Sequence, residues 1–78
     1  MSSPGEATVK ISARNSLPGV VIRIDHGAVN TEVTLEIAPG VTIVSIITKE
    51  AAQSLGLSVG AKAYAVIKAS SVMVGVDE

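Results

Sequence analysis

The stretch Glu32-Val33-Thr34-Leu35-Glu36-Ile37-Ala38-Pro39-Gly40-Val41-Thr42-Ile43-Val44-Ser45-Ile46-Ile47-Thr48 decides the fold. Val33, Leu35 and Ile37 alternate with Glu32, Thr34 and Glu36, the period-two pattern of a strand with one wet face. Ala38-Pro39-Gly40 then interrupts it with turn chemistry. The second run differs from the first. Along Val41–Thr48, Ile43 and Ile47 fall on one face while Val44 and Ile46 fall on the other. A strand apolar on both faces is covered on both sides. One face can fill a barrel. The other needs a second subunit or the short helix that follows.

Working outward toward the N-terminus, Val20, Ile22 and Ile24 share one face and Val21, Arg23 and Asp25 the other, with a turn at His26-Gly27. Farther back, Val9, Ile11 and Ala13 alternate with Lys10, Ser12 and Arg14 before a turn at Asn15-Ser16. Residues 1–8 read as a flexible tail. Toward the C-terminus, Thr48 is placed to cap a helix over Lys49–Leu55. Ala51 and Ala52 favour that helix, and Gly56 sits where a glycine would stop it. Ala61–Ala69 is a strand with Ala61, Ala63, Ala65 and Ile67 on one face. Val72, Val74 and Val76 form a last short strand. Short strands, close turns and one short helix define an all-β chain. The architecture expected is a five-stranded OB-like Greek-key β-barrel over residues 9–78 as one domain.

Composition bounds the assembly and the chemistry. A chain of 78 residues buries too little surface for a generous core of its own. It has no Cys, which excludes disulfides, and a single His, which argues against a structural zinc site. Yet 47% of it is hydrophobic, mostly Val, Ile, Ala and Leu, with Tyr64 the only aromatic. Oligomerisation is the remaining way to stabilise it. A net charge of −1 gives no field for nucleic acid or an anionic membrane. A nucleic-acid-binding barrel would also need stacking aromatics in a basic groove. There is no apolar run long enough to span a bilayer, and no signal-peptide core near Met1, so the expected location is cytoplasmic.

Catalytic constellations are equally sparse. Asp25-His26 is the one His–carboxylate neighbour pair, and adjacent strand residues point to opposite faces. Gly27, Gly40, Gly56 and Gly60 stand singly at turns and build no phosphate loop. The chain therefore reads as a binding protein, not an enzyme. What remains is small-anion chemistry. Ser12-Ala13-Arg14-Asn15 ends the first strand, and Lys68-Ala69-Ser70-Ser71 ends the penultimate one. Each offers a cation, hydroxyls and backbone N–H groups, the donor set a tetrahedral oxyanion needs. Solvated strand ends have the same composition, so spacing alone leaves both readings open.

At these residues the chain resembles the molbindin, or Mop, family of molybdate-binding proteins. The resemblance lies in Ser12-Ala13-Arg14-Asn15, Ser45-Ile46-Ile47-Thr48-Lys49-Glu50, Leu55-Gly56-Leu57 with Val59-Gly60, and Ala63-Tyr64-Ala65-Val66-Ile67-Lys68-Ala69-Ser70 with Val72-Met73-Val74. It runs from about Val9 to the C-terminus, and it is the order and spacing of these pieces that is specific.

The resemblance implies an OB-like barrel assembled as a hexamer, a trimer of dimers, that holds molybdate or tungstate between subunits for intracellular storage and homeostasis of molybdenum. It implies an oxyanion site of Ser12, Ala13, Arg14, Lys68, Ala69 and Ser70, with Thr48 and Ala51 supplied by a neighbouring subunit. Ala51 stands where family members commonly carry Ser, which leaves only its backbone N–H to serve. A second site near the three-fold axis is expected at Gly27-Ala28-Val29. Helix-turn-helix and ATPase parts that accompany this domain elsewhere are not expected before so short a tail. The alternative from another class is an oligomeric interaction module that uses the same barrel without an anion.

Overall fold

The computed structural model describes residues 14–78. The first strand expected over 9–13 and the tail over 1–8 lie outside the described residues. The deciding stretch folds as its alternation dictates. β2 (Asn30–Ala38) buries Thr31, Val33 and Leu35, and β3 (Val41–Thr48) runs antiparallel to it with Ile43 opposite Leu35. Gly40 closes the turn between them at φ 75°, a left-handed conformation open to glycine because it has no Cβ.

β1 (Asn15–His26) is longer than its sequence suggests. Asn15-Ser16 is not a turn. Asn15 pairs with Ile67 at the end of β4 (Lys62–Ile67), and its side-chain Nδ2 donates to the Ile67 carbonyl at 3.2 Å. Pro18 inside the strand costs no ladder bond. Val21 exchanges backbone bonds with Gly60 and Ala61 on the β4 side. Residues one step out of phase, Pro18 among them, therefore face the β2 side. β2 pairs with β1 only from Val20 onward, so no acceptor waits for the N–H that proline lacks.

The simple alternation read across residues 20–25 also needs correcting. A register shift between Val21 and Arg23 makes Ile22 an extra residue opposite β2. Before it, the odd-numbered Leu17, Gly19 and Val21 face inward. After it, Ile24 does. Val21 is fully buried although the plain period-two reading put it beside Arg23 and Asp25.

The strand order β3-β2-β1-β4 is the Greek-key order, three consecutive strands with a fourth returning beside the first. The sheet curls into a half-barrel: Ile43 and Ile47 of β3 border the same concave cavity as Tyr64 and Val66 of β4. The core is Val21, Val33, Leu35 and Ala65, with Leu17, Ile24, Ile43, Ile47 and Leu57 packed around it. Burying the valine and leucine side chains stabilises the fold by about 1.5–3 kcal/mol each.

α1 (Lys49–Ser54) starts where β3 ends and packs against β2 and β3, burying Ala52. Gly56 follows its C-cap at φ 65°. The helix does not cover the outer face of β3, where Val44 is 57% and Ile46 67% exposed. The last strand expected at Val72–Val76 is absent. A 3-10 turn over Ala69–Ser71 redirects the chain, and residues 72–78 meet no ladder partner among the described residues. Val74 and Val76 stay about as exposed as free side chains. A strand needs a neighbour's N–H and C=O groups, and local valines cannot supply them.

Candidate functional site

β1 carries a donor cluster at each of its ends. At its start, the β1–β4 register sets Asn15 opposite Ile67. Arg14 directly precedes Asn15 and Lys68 directly follows Ile67, so the two cations flank the last rung of the ladder, and both are exposed. Like charges facing each other across a ladder repel. The single salt bridge among the described residues joins Arg23 to Asp25 at 3.8 Å, so neither Arg14 nor Lys68 has a carboxylate partner there.

The chain leaves this end through the 3-10 turn, in which the Ser71 amide donates to the Lys68 carbonyl at 2.9 Å and the Val72 amide to that of Ala69 at 3.3 Å. The amides of Ala69 and Ser70 have no protein acceptor among the described residues. Tertiary pairing thus brings Arg14, Lys68, Ala69 and Ser70 together. Two cations, backbone donors and the Ser70 hydroxyl thus lie at one end of the β1–β4 ladder, the kinds of group an oxyanion takes. Ser12 and Ala13 lie outside the described residues.

Thr48 and Ala51 lie in the other cluster, past the far end of β1. Thr48 has φ −69° and ψ 152° and is the N-cap of α1, its Oγ1 accepting the Ala51 amide at 3.0 Å. This bears on Ala51, expected as an anion contact. With no hydroxyl, it had only its backbone N–H to offer, and the cap already uses that group. The Lys49 amide is taken too, by the Val29 carbonyl at 2.9 Å. The Glu50 amide has no acceptor among the described residues, and the Thr48 hydroxyl keeps its proton to donate. The resemblance nominates Thr48 but not the Glu50 amide, because residue type does not reveal which amide a cap consumes.

Gly27, Ala28 and Val29 form the β1–β2 turn, closed by the Gly27 amide on the Asn30 carbonyl at 2.7 Å. The Val29–Lys49 bond sets this turn directly against the start of α1. The two segments read separately in the sequence therefore form one cluster in the fold. Within one chain, this cluster and the Arg14–Lys68 cluster stand at opposite ends of β1.

The remaining polar groups have other partners. His26 Nδ1 lies 3.3 Å from Oγ1 of the fully buried Thr31, while Asp25 faces Arg23. Lys62, at the other end of β4 from Lys68, borders a groove with Glu36 and Tyr64. No group of three or more His, Asp or Glu side chains among the described residues is arranged to hold a metal ion. No helix among them is long and apolar enough to cross a membrane.

A Greek-key half-barrel with its polar donors gathered at strand ends defines an OB-like domain. A family model for the TOBE domain matches residues 11–74. The probable molybdenum-pterin-binding protein of Haemophilus influenzae is 49% identical over 69 residues, which cover 88% of this chain and all of that protein. The chain belongs to the TOBE domain family, among its Mop proteins. Solved structures agree. MopII from Clostridium pasteurianum superposes with a TM-score of 0.80 at 45% identity, covering 86% of this chain and 100% of that one. The cytoplasmic molybdate-binding protein ModG, solved with molybdate bound, superposes at 0.84 and 53% identity. That match covers 92% of this chain and 51% of ModG, about half its length.

Proposed function

We propose that this chain binds molybdate, or tungstate alike, at sites shared between subunits of a hexamer built as a trimer of dimers. Its role is to store and buffer the anion in the cytoplasm, and it binds without catalysing a reaction. Residues 9–78 act as one domain.

The observation that supports this reading is the Asn15–Ile67 rung, which has Arg14 and Lys68 next to it and no salt bridge to either among the described residues. A dianion there relieves the repulsion and takes the amides of Ala69 and Ser70 and the Ser70 hydroxyl as further donors. Ser12 and Ala13 complete this half. The Thr48 hydroxyl and the Glu50 amide, in the turn Thr48–Ala51, supply the other half from a second subunit, since one chain keeps the two clusters at opposite ends of β1. A second anion site at Gly27-Ala28-Val29 belongs to the same proposal. ModG and the molybdenum-pterin-binding relative support the ligand class.

The test is equilibrium dialysis of the purified full chain against molybdate, with elemental analysis of the protein as isolated. Saturable uptake at micromolar anion is expected. No uptake at millimolar molybdate would leave the barrel as an interaction module.

A further inference from the structure

We infer that Val29 is a positioning residue for the oxyanion site: its carbonyl, by holding the Lys49 amide, fixes the backbone of Thr48 and α1 in the orientation that meets the anion. The inference rests on the function proposed above and requires no second anion at the turn.

The β2–β3 register pairs Asn30 with Thr48. Carried one step past both strand ends, it pairs Val29 with Lys49, and the 2.9 Å bond between them is that extra rung. The rung joins a turn to the first residue of a helix, so it is not part of either regular element. The Val29 carbonyl is itself held, because the turn is closed by the 2.7 Å bond from Gly27 to Asn30. The Val29 side chain is exposed, so its packing is not what the structure uses. Without the rung, the first turn of this six-residue helix keeps the Thr48 cap, the Asn30–Thr48 pairing before it and the buried Ala52, but no bond on its first amide. Helices this short do not hold their geometry unaided. A rigid donor set is what separates anions of equal charge and different size, because a loose one follows either.

Proline at Lys49 isolates this bond. Lys49 is the first helical residue, where proline is well tolerated. Thr48 already has the extended backbone that a residue before proline requires. Lys49→Pro therefore deletes the N–H and leaves the helix able to form, while its Cδ takes the place of the amide hydrogen and pushes the Val29 carbonyl away. Lys49→Ala is the reference, because it loses the same ammonium group and keeps the N–H.

Calorimetric titration of both full-length variants with molybdate, tungstate and sulfate, beside thermal melts, reads the effect. The expected result is molybdate binding about ten-fold weaker in Lys49→Pro than in Lys49→Ala, the size of one lost hydrogen bond. The proline variant should melt at a lower temperature yet stay folded at the temperature of titration, and its margin of molybdate over sulfate should be narrower. Equal molybdate affinities in the two variants would overturn the positioning role while leaving the proposed function intact. Failure of the unaltered protein to bind would instead remove that function.

Hydrogen exchange on the unaltered protein decides the matter if the proline variant does not fold. The Lys49 amide should exchange more slowly than that of Glu50, and saturating molybdate should slow it further. No change at Lys49 on adding molybdate would count against the inference.

Discussion

Thr48 Oγ1 accepts the Ala51 amide at 3.0 Å, and this one bond gives Thr48 two separable duties. As an acceptor it caps α1. As a hydroxyl it still has a proton to donate to an anion. Thr48→Val removes both functions and should destabilise the fold by about 1 kcal/mol, the usual cost of a lost N-cap. Thr48→Asp keeps the cap and replaces the donor with a negative charge. Thermal melts should show Asp nearly neutral and Val destabilising, whereas titration should show molybdate binding lost in both. Molybdate affinity that followed cap strength, with Asp binding normally, would confine Thr48 to a structural role.

Lys68 and Lys62 stand at opposite ends of β4, which makes them a matched pair. Lys68→Ala removes a cation from the Arg14 cluster. A charge-assisted hydrogen bond contributes about 1.5–3 kcal/mol, or roughly ten- to a hundred-fold in affinity. Lys62→Ala removes an equal charge from a groove with no part in the site and should change affinity by less than about two-fold, as exposed charges at a distance are screened. Calorimetric titration of both variants checks this. Equal losses would mean that net charge, and not position, governs binding.

Leu35 and Ile46 separate folding from assembly. Leu35 is buried in the core, and Leu35→Ala should destabilise the protein by about 2–5 kcal/mol. Ile46 lies on the uncovered outer face of β3. Ile46→Lys should leave the single-chain fold intact and shift the sedimentation coefficient toward smaller species, with weaker molybdate binding because the two half-sites no longer meet. A hexamer of unchanged size in Ile46→Lys would place the subunit contacts on another face.

Selectivity follows from size, because molybdate, tungstate and sulfate are all tetrahedral dianions. Donors held by a ladder and by caps cannot contract around the smaller sulfate, and a hydrogen bond stretched to about 3.6 Å contributes almost nothing. Tungstate should compete with molybdate about equally, and sulfate poorly even at a large excess. Binding should also raise the melting temperature, by about 2.7 kcal/mol of added stability at a hundred-fold excess over the dissociation constant. Competition titrations decide the first point and melts the second. Displacement of molybdate by comparable sulfate would reduce the site to a general anion nest.

Much of the architecture was legible in the residues themselves. β2, β3, α1 and β4 follow from period-two alternation, from Ala38-Pro39-Gly40, and from Thr48 and Gly56 bounding the helix, all signals contained within a few neighbouring residues. Of the proposed oxyanion set, Arg14, Lys68, Ala69 and Ser70 could be nominated from their chemistry, but not brought together. Tertiary structure decided the rest. Asn15 is in a strand and not a turn because its partner, the Ile67 carbonyl, lies 52 residues away. Val21 is buried because Ile22 bulges opposite β2. The tail valines form no strand because no edge among the described residues receives them. The Ala51 amide is spent and the Lys49 amide is held because Thr48 and Val29 reach them first. Propensity and periodicity act over a turn or a strand. Register and the allocation of each donor depend on which distant segment arrives beside it, and only the closed fold settles that.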